Sequence, residues 1–269
     1  MNFSPSSSHT NDFSQSSLTK YKQGKYKGLI IASGIVISWI IVITTGVTNS
    51  QPFATSLSSD FAWILLSTWL YTGVFITAHE AMHNLIVPKS LQINKLIGQV
   101  VLTLYAGLSF NKLLRGHIDH HSYPSTTSDP DFWPYKKYSF LRWYFRFLYE
   151  YFSISSLIFM ATLYNICAHI LKIEESQLIF MWILPQILSS LQLFYFGTYL
   201  PHRPDIAYEG QGLTKTRSNH YSYWVSLLTC FHFGYHYEHH AYPYVPWWDL
   251  HKVKQKSTPF NNKIHRDNV

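Results

Sequence analysis

Residues 61–83 read FAWILLSTWLYTGVFITAHEAMH, an apolar run that ends in two histidines four positions apart. The part from 61 to 78 has no charged side chain and is close to the ~20 residues that an α-helix needs to cross a bilayer. On a helix His79 and His83 share one face, about 6 Å apart. The stretch therefore predicts a membrane helix that delivers a pair of imidazoles to one bilayer surface.

Working outward, residues 29–47, 152–171 and 178–200 have similar length and apolar character, and Pro185 is expected to kink the last. The first of these follows Lys20, Lys22, Lys25 and Lys27 like a signal peptide, but it is too long and lacks an A-x-A-like exit, so it reads as a retained helix. Residues 96–110 are apolar but too short to span, which suggests a re-entrant or interfacial helix. Residues 1–28 form a polar, basic tail expected to be disordered, 29–256 the membrane domain, and 257–269 a C-terminal tail. The links 48–60 and 172–177 contain one basic residue, Lys172. By the positive-inside rule both tips face outward, and the N-terminus, the region 80–151 and the C-terminal third face the cytoplasm. The expected fold is all-α and integral to the membrane: four transmembrane helices under a cytoplasmic helical cap.

Composition agrees with burial in lipid, at 17% aromatic and 13% charged residues. The net charge of +7 accompanies no RNA- or DNA-binding motif, so it is assigned to topology and to docking of acidic partners rather than to nucleic acid. The two cysteines, Cys167 and Cys230, fall near opposite membrane faces in this scheme and predict no disulfide.

The chain has 15 histidines, most of them in tight groups. Taken alone, His79-Glu80-Ala81-Met82-His83 matches the H-E-x-x-H of zinc metalloproteases, with Glu80 as general base. Two further boxes, His117-Ile118-Asp119-His120-His121 and His236-Tyr237-Glu238-His239-His240, have no place in a mononuclear zinc site. In each, positions i, i+3 and i+4 lie within about 100° of helix face and are expected to present three nitrogens to a common point. Two, three and three ligands are enough for two metals. Imidazole suits iron, zinc, copper and nickel alike, so ligand type leaves the metal open. A metal transporter would call for polar or acidic residues in the spans, and the four spans contain no carboxylate.

The three boxes and their spacing resemble the membrane fatty-acid desaturase and hydroxylase superfamily over residues 61–256. Within it, FITAHEAMH, SDPDFW, LSSLQLFYFGTYLPHRP and LLTCFHFGYHYEHHAYPYVPWW are similar to bacterial-type β-carotene ketolases, with Glu80 where that pattern has Asp. The resemblance implies a di-iron (Fe2+) oxygenase that uses O2 and an external, ferredoxin-type electron donor. It implies a carotenoid substrate drawn from the bilayer lipid, whose β-ionone ring is oxidised at C4 by two successive hydroxylations, β-carotene to echinenone to canthaxanthin. It also implies a fourth histidine element, matched by His202. The implied ligand set is His79, His83, His117, His120, His121, His202, His236, His239 and His240. Glu80, Asp129, Asp131 and Glu238 are candidates to polarise those imidazoles, and His232, expected one helical turn before His236, to support them. Other readings are an acyl desaturase or hydroxylase with the same metals and an intramembrane zinc protease. His169 is expected to be packed, and His9, His220, His251 and His265 solvated. Phe194-Tyr195-Phe196 and Trp247-Trp248 read as packing and interface-belt residues, the former open to substrate contact.

Overall fold

A computed structural model of the protein describes residues 26–49, 52, 57–135 and 139–264. The expected tail up to residue 25, His9, His265 and residues 50, 51 and 53–56 of the first link lie outside the described residues. Among the described residues the principal helices are α1 (Lys27–Asn49), α2 (Leu57–Met82), α3 (Leu91–Ala106), α4 (Phe110–Ser122), α5 (Phe140–Tyr151), α6 (Ile154–Asn165), α7 (Glu175–His202), α8 (Tyr223–Cys230), α9 (His236–Ala241) and α10 (Trp247–Ile264). No strand is found among the described residues. A π-helical turn, Ile166–Ile170, prolongs α6, and α10 runs on through the expected C-terminal tail as far as Ile264.

The central helix is α2, packed against α1, α3 and α7. Apolar side chains alone give helices little to choose between a neighbour and lipid, so polar contacts fix their register. Thr72 of α2 donates to Gln192 Oε1 of α7 at 2.7 Å, and Tyr105 of α3 meets Ser189 of α7 at 3.2 Å. Gln186 of α7 donates to the Tyr105 carbonyl.

By length and apolarity α1, α2 and α7 each suffice to cross a bilayer, while α3 with α4 and α5 with α6 suffice only as pairs, bent by 105° and 89°. The expected third span is thus the second arm of a bent pair, begun at Ile154 under a Ser153 cap. The 96–110 segment is the helix α3, which ends at Gly107; with φ at 65° this position favours glycine, and the chain turns there into α4. The lost donor at Pro185 is absorbed by a π turn at Ile179–Ile183 just before it. A second π turn within α7, Phe194–Tyr199, leads into the last residues Leu200–His202.

Candidate metal centre

Box one occupies the last turn of α2, box two the last turns of α4, and box three nearly all of α9, while His202 closes α7. Four helix ends therefore meet. Their nine histidines separate into two groups: His79, His83, His117, His121 and His239, and His120, His202, His236 and His240. In each group one ligand atom per residue lies within 4.8 Å of all the others.

This corrects the expectation that each three-histidine box converges on one point. Box two sends its i, i+4 pair, His117 and His121, to the first group and His120 to the second. Box three does the reverse, with His236 and His240 in the second group and His239 in the first. The physical reason is the helix period: positions i+3 and i+4 stand about 100° apart, enough for neighbouring rings to face different centres.

Nε2 atoms approach one another at 2.6 Å between His83 and His117 and at 2.9 Å between His121 and His239. In the second group His120, His236 and His240 form a triangle of Nε2 atoms with sides of 3.0 to 3.2 Å, and His202 Nε2 stands 2.9 Å from His236 Nε2. One shared proton cannot satisfy three converging lone pairs, whereas a cation can. Two imidazole nitrogens bound side by side at ~2.0–2.1 Å would themselves be ~3 Å apart. His79 Nε2 is buried without a hydrogen-bond partner. The residues fit a pair of metal ions.

Several Nδ1 atoms turn outward to acceptors, which leaves Nε2 for the centre. His120 Nδ1 contacts Asp129 Oδ1 at 2.9 Å, and Asp129 is held in turn by the Ser125 and Asp131 amides. His240 Nδ1 donates to the Leu213 carbonyl at 3.2 Å. Ser125 Oγ donates to the Lys215 carbonyl, so it accepts from His202 Nδ1 at 3.0 Å. Burial holds His236, His239 and His240 well below the ordinary imidazole range, neutral and ready to bind metal.

Residues 59–175 and 154–265 match the fatty acid desaturase family. The chain belongs to that family. It is 41% identical over 230 residues to a "Beta-carotene ketolase" of Paracoccus sp. (strain N81106 / MBIC 01143), covering 85% of this chain and 92% of that protein. A second "Beta-carotene ketolase", from Paracoccus sp. (strain PC1), is 42% identical over 70% of this chain and 76% of its own. A "Zeaxanthin 4-ketolase" of Chlamydomonas reinhardtii is 33% identical over 85% of this chain and 53% of its own.

In this desaturase-family chain a cavity abuts both histidine groups. His79 and His117 from one and His120 and His236 from the other share its wall with Phe75, Met82, Leu113, Phe147, Leu193 and Phe233. Gly197 also lines it, and a Cβ there would lie 2.6 Å from the Phe233 ring, whose edge meets His79. Leu193, Gly197 and Thr198 face the cavity; the aromatic run between them does not, and Phe194 is buried against Trp143 and Tyr144.

The carboxylates divide. Glu80 reaches His79 Nδ1 at 3.3 Å and accepts from the Trp247 amide, an arrangement that spends the carboxylate on support rather than on a water. Asp129 supports His120 directly; Asp131 lies 3.8 Å from it, accepts from Tyr151, and is pushed by burial up to about 6. Among the described residues no hydrogen bond joins the Glu238 side chain to a box histidine; it accepts from Ser218 and pairs with Lys254. His232 does not stand one helical turn before His236: α8 stops at Cys230, Phe231 and His232 both take positive φ, and the ring packs on Tyr223, Tyr235 and His251. His169 is exposed on the protein surface rather than packed, His220 is exposed as expected, and His251 is half-buried. Ser125, Tyr208 and Arg217 carry one signal in the sequence, which is positional, since polar residues in loops near histidine boxes have imidazoles and helix ends to orient, whereas Tyr151 closes α5 and has no such signal.

Proposed function

We propose that the protein is a β-carotene 4-ketolase, a di-iron oxygenase that converts the C4 methylene of a β-ionone ring to a ketone. The observation that carries this reading is the apolar cavity whose wall contains imidazoles of both groups, in a chain that is similar almost end to end to Paracoccus ketolases. His79, His83, His117, His121 and His239 would hold one iron, and His120, His202, His236 and His240 the other. Bound there, the irons would supply activation of O2 for attack on an unactivated C–H bond.

The chain's own residues do the rest. Phe75, Met82, Leu113, Phe147, Leu193 and Phe233 exclude water and hold a hydrocarbon ring against the imidazole wall. Tyr151 donates its hydroxyl hydrogen bond to Asp131 Oδ1 at the cavity edge. Each hydroxylation consumes one O2, two electrons and two protons and releases one water; the second gives a geminal diol that loses water to the ketone. The electrons come from an acidic, ferredoxin-type donor drawn to the basic cytoplasmic face.

The topology proposed is four crossings, with α1, α2, the α5–α6 pair and α7 in the bilayer and all boxes on the cytoplasmic side. A cysteine placed at Lys172 should react with an impermeant reagent from outside and one at Arg142 only from the cytoplasm; the opposite pattern would reverse the topology. Activity is tested by expression in a β-carotene-producing bacterium, with acyl lipids analysed in parallel. Echinenone and canthaxanthin are expected. Unchanged β-carotene with newly unsaturated or hydroxylated acyl chains would move the assignment to the acyl enzymes of the family.

A further inference from the structure

Between His202 and box three the chain passes through residues 203–222, a strap whose one regular turn is Gly212–Thr214. Its side chains and carbonyls reach the second histidine group. Leu213 O takes the Nδ1 proton of His240, and Lys215 O orients Ser125, which orients His202. No hydrogen bond among the described residues joins the strap to His79, His83, His117, His121 or His239.

Arg217 lies in the buried stretch Thr216–Ser218 of this strap and is 7% exposed. A helix ends with unsatisfied carbonyls, and those ending α7 surround His202. Arg217 Nε donates to Leu200 O at 2.7 Å, Nη1 to Ile206 O at 2.5 Å, and Nη2 to Arg203 O. Tyr208 completes the set: its hydroxyl donates to His202 O at 3.0 Å, and its ring lies 5.6 Å from the guanidinium carbon. The carbonyls of Leu200, His202 and Arg203, within four residues of one another, are thus bound by two strap side chains. The guanidinium sits on the negative end of the helix dipole, and its rigid fork reaches several carbonyls at once, which an ammonium does not.

We propose that Arg217 is a positioning residue for the second metal: it locks the final turn of α7 so that His202 Nε2 meets His236, His120 and His240, and its loss unloads that centre while sparing the first. The inference rests on the two-iron reading above. Groups that hydrogen-bond a metal ligand typically alter affinity by about 10–100-fold; Arg217 acts through the backbone on either side of His202, so the lower end of that range is expected.

The test is anaerobic Fe(II) titration of metal-free protein in detergent, with thermal unfolding recorded for every variant. Wild type should take up two irons. Arg217→Gln should bind one as tightly as wild type and the second at least about tenfold more weakly. Arg217→Lys should recover part of the loss, Tyr208→Phe should weaken the second iron by a smaller factor, and Arg142→Gln, an exposed arginine elsewhere, should match wild type. Adding Arg217→Gln to His202→Ala should cost no further iron, because both act on one centre. Two irons at wild-type affinity in Arg217→Gln, or equal weakening of both, would overturn the inference. Should Arg217→Gln fail to fold, wild-type binding by Tyr208→Phe would do the same. Wild-type protein that binds fewer than two irons would refute the two-iron reading itself, before any variant is compared.

Discussion

The two histidine groups are built from the same boxes by different means. The first uses the i, i+4 pairs of α2 and α4 with one ring from α9, so ordinary helix register sets most of its geometry. The second has the i, i+4 pair of α9, one ring from α4 and the last residue of α7, and the outward nitrogens of His120, His202 and His240 are held by Asp129, Ser125 and the strap. A centre set by helix register tolerates changes in loops; a centre whose rings are oriented from loops depends on them.

The largest effect should come from removing ligands on either side of this contrast. His202→Ala should reduce bound iron from two per chain toward one and abolish keto product. His83→Ala should also abolish product, but it leaves four imidazoles in the first group, so its iron should be weakened rather than lost. Equal iron contents in the two purified variants would break the contrast.

Supporting carboxylates sharpen it. Asp129→Asn keeps a hydrogen-bond acceptor for His120 but removes the charge, and the affinity for the second iron should fall about tenfold with the first unchanged. Glu80→Gln should show the converse, read by the same titration. A loss of the first iron in Asp129→Asn would mean the centres are not separable.

The cavity touches both groups and should respond without loss of metal. Gly197→Ala places a Cβ against the Phe233 ring and drives that ring toward His79 and the cavity. Ketolation should fall on the order of 10- to 100-fold, the scale of an ångström misplacement, with two irons retained. Iron loss together with activity would assign Gly197 to the fold instead.

The smallest effect concerns pH. Burial lowers the folded-state values of His236, His239 and His240, so below about 6.5 the unfolded chain takes up protons that the folded chain refuses. Stability of the metal-free protein should therefore fall as pH drops from about 7.5 to 5.5, and bound iron should raise stability at both pH values without removing the trend, because metal-bound imidazoles refuse protons as well. Thermal unfolding at the two pH values, with and without Fe(II), measures this; a pH-independent melting temperature in the metal-free protein would contradict it.

Much of the site was legible in the sequence because histidine spacing is a local property. The helix carrying His79 and His83 follows from an uncharged run and a four-residue step, and α4 and α9 follow from their boxes. How boxes two and three divide between centres was not legible, because it depends on which way neighbouring helix ends face. His232 was misplaced for a related reason: two consecutive positive φ values at Phe231 and His232 interrupt a segment that reads as continuous helix. Bends are equally silent, so residues 152–171 read as one straight span although the helix starts at Ile154 after an 89° turn. Arg217 and Tyr208 owe their roles to carbonyls exposed only once α7 has ended.

Crystals of the iron-loaded protein measured at the iron absorption edge test the two-centre arrangement most directly. Two anomalous peaks are predicted per chain, one among His79, His83, His117, His121 and His239 and the other among His120, His202, His236 and His240. A single peak, or one bound by His79 and His83 with the other boxes empty, would contradict it.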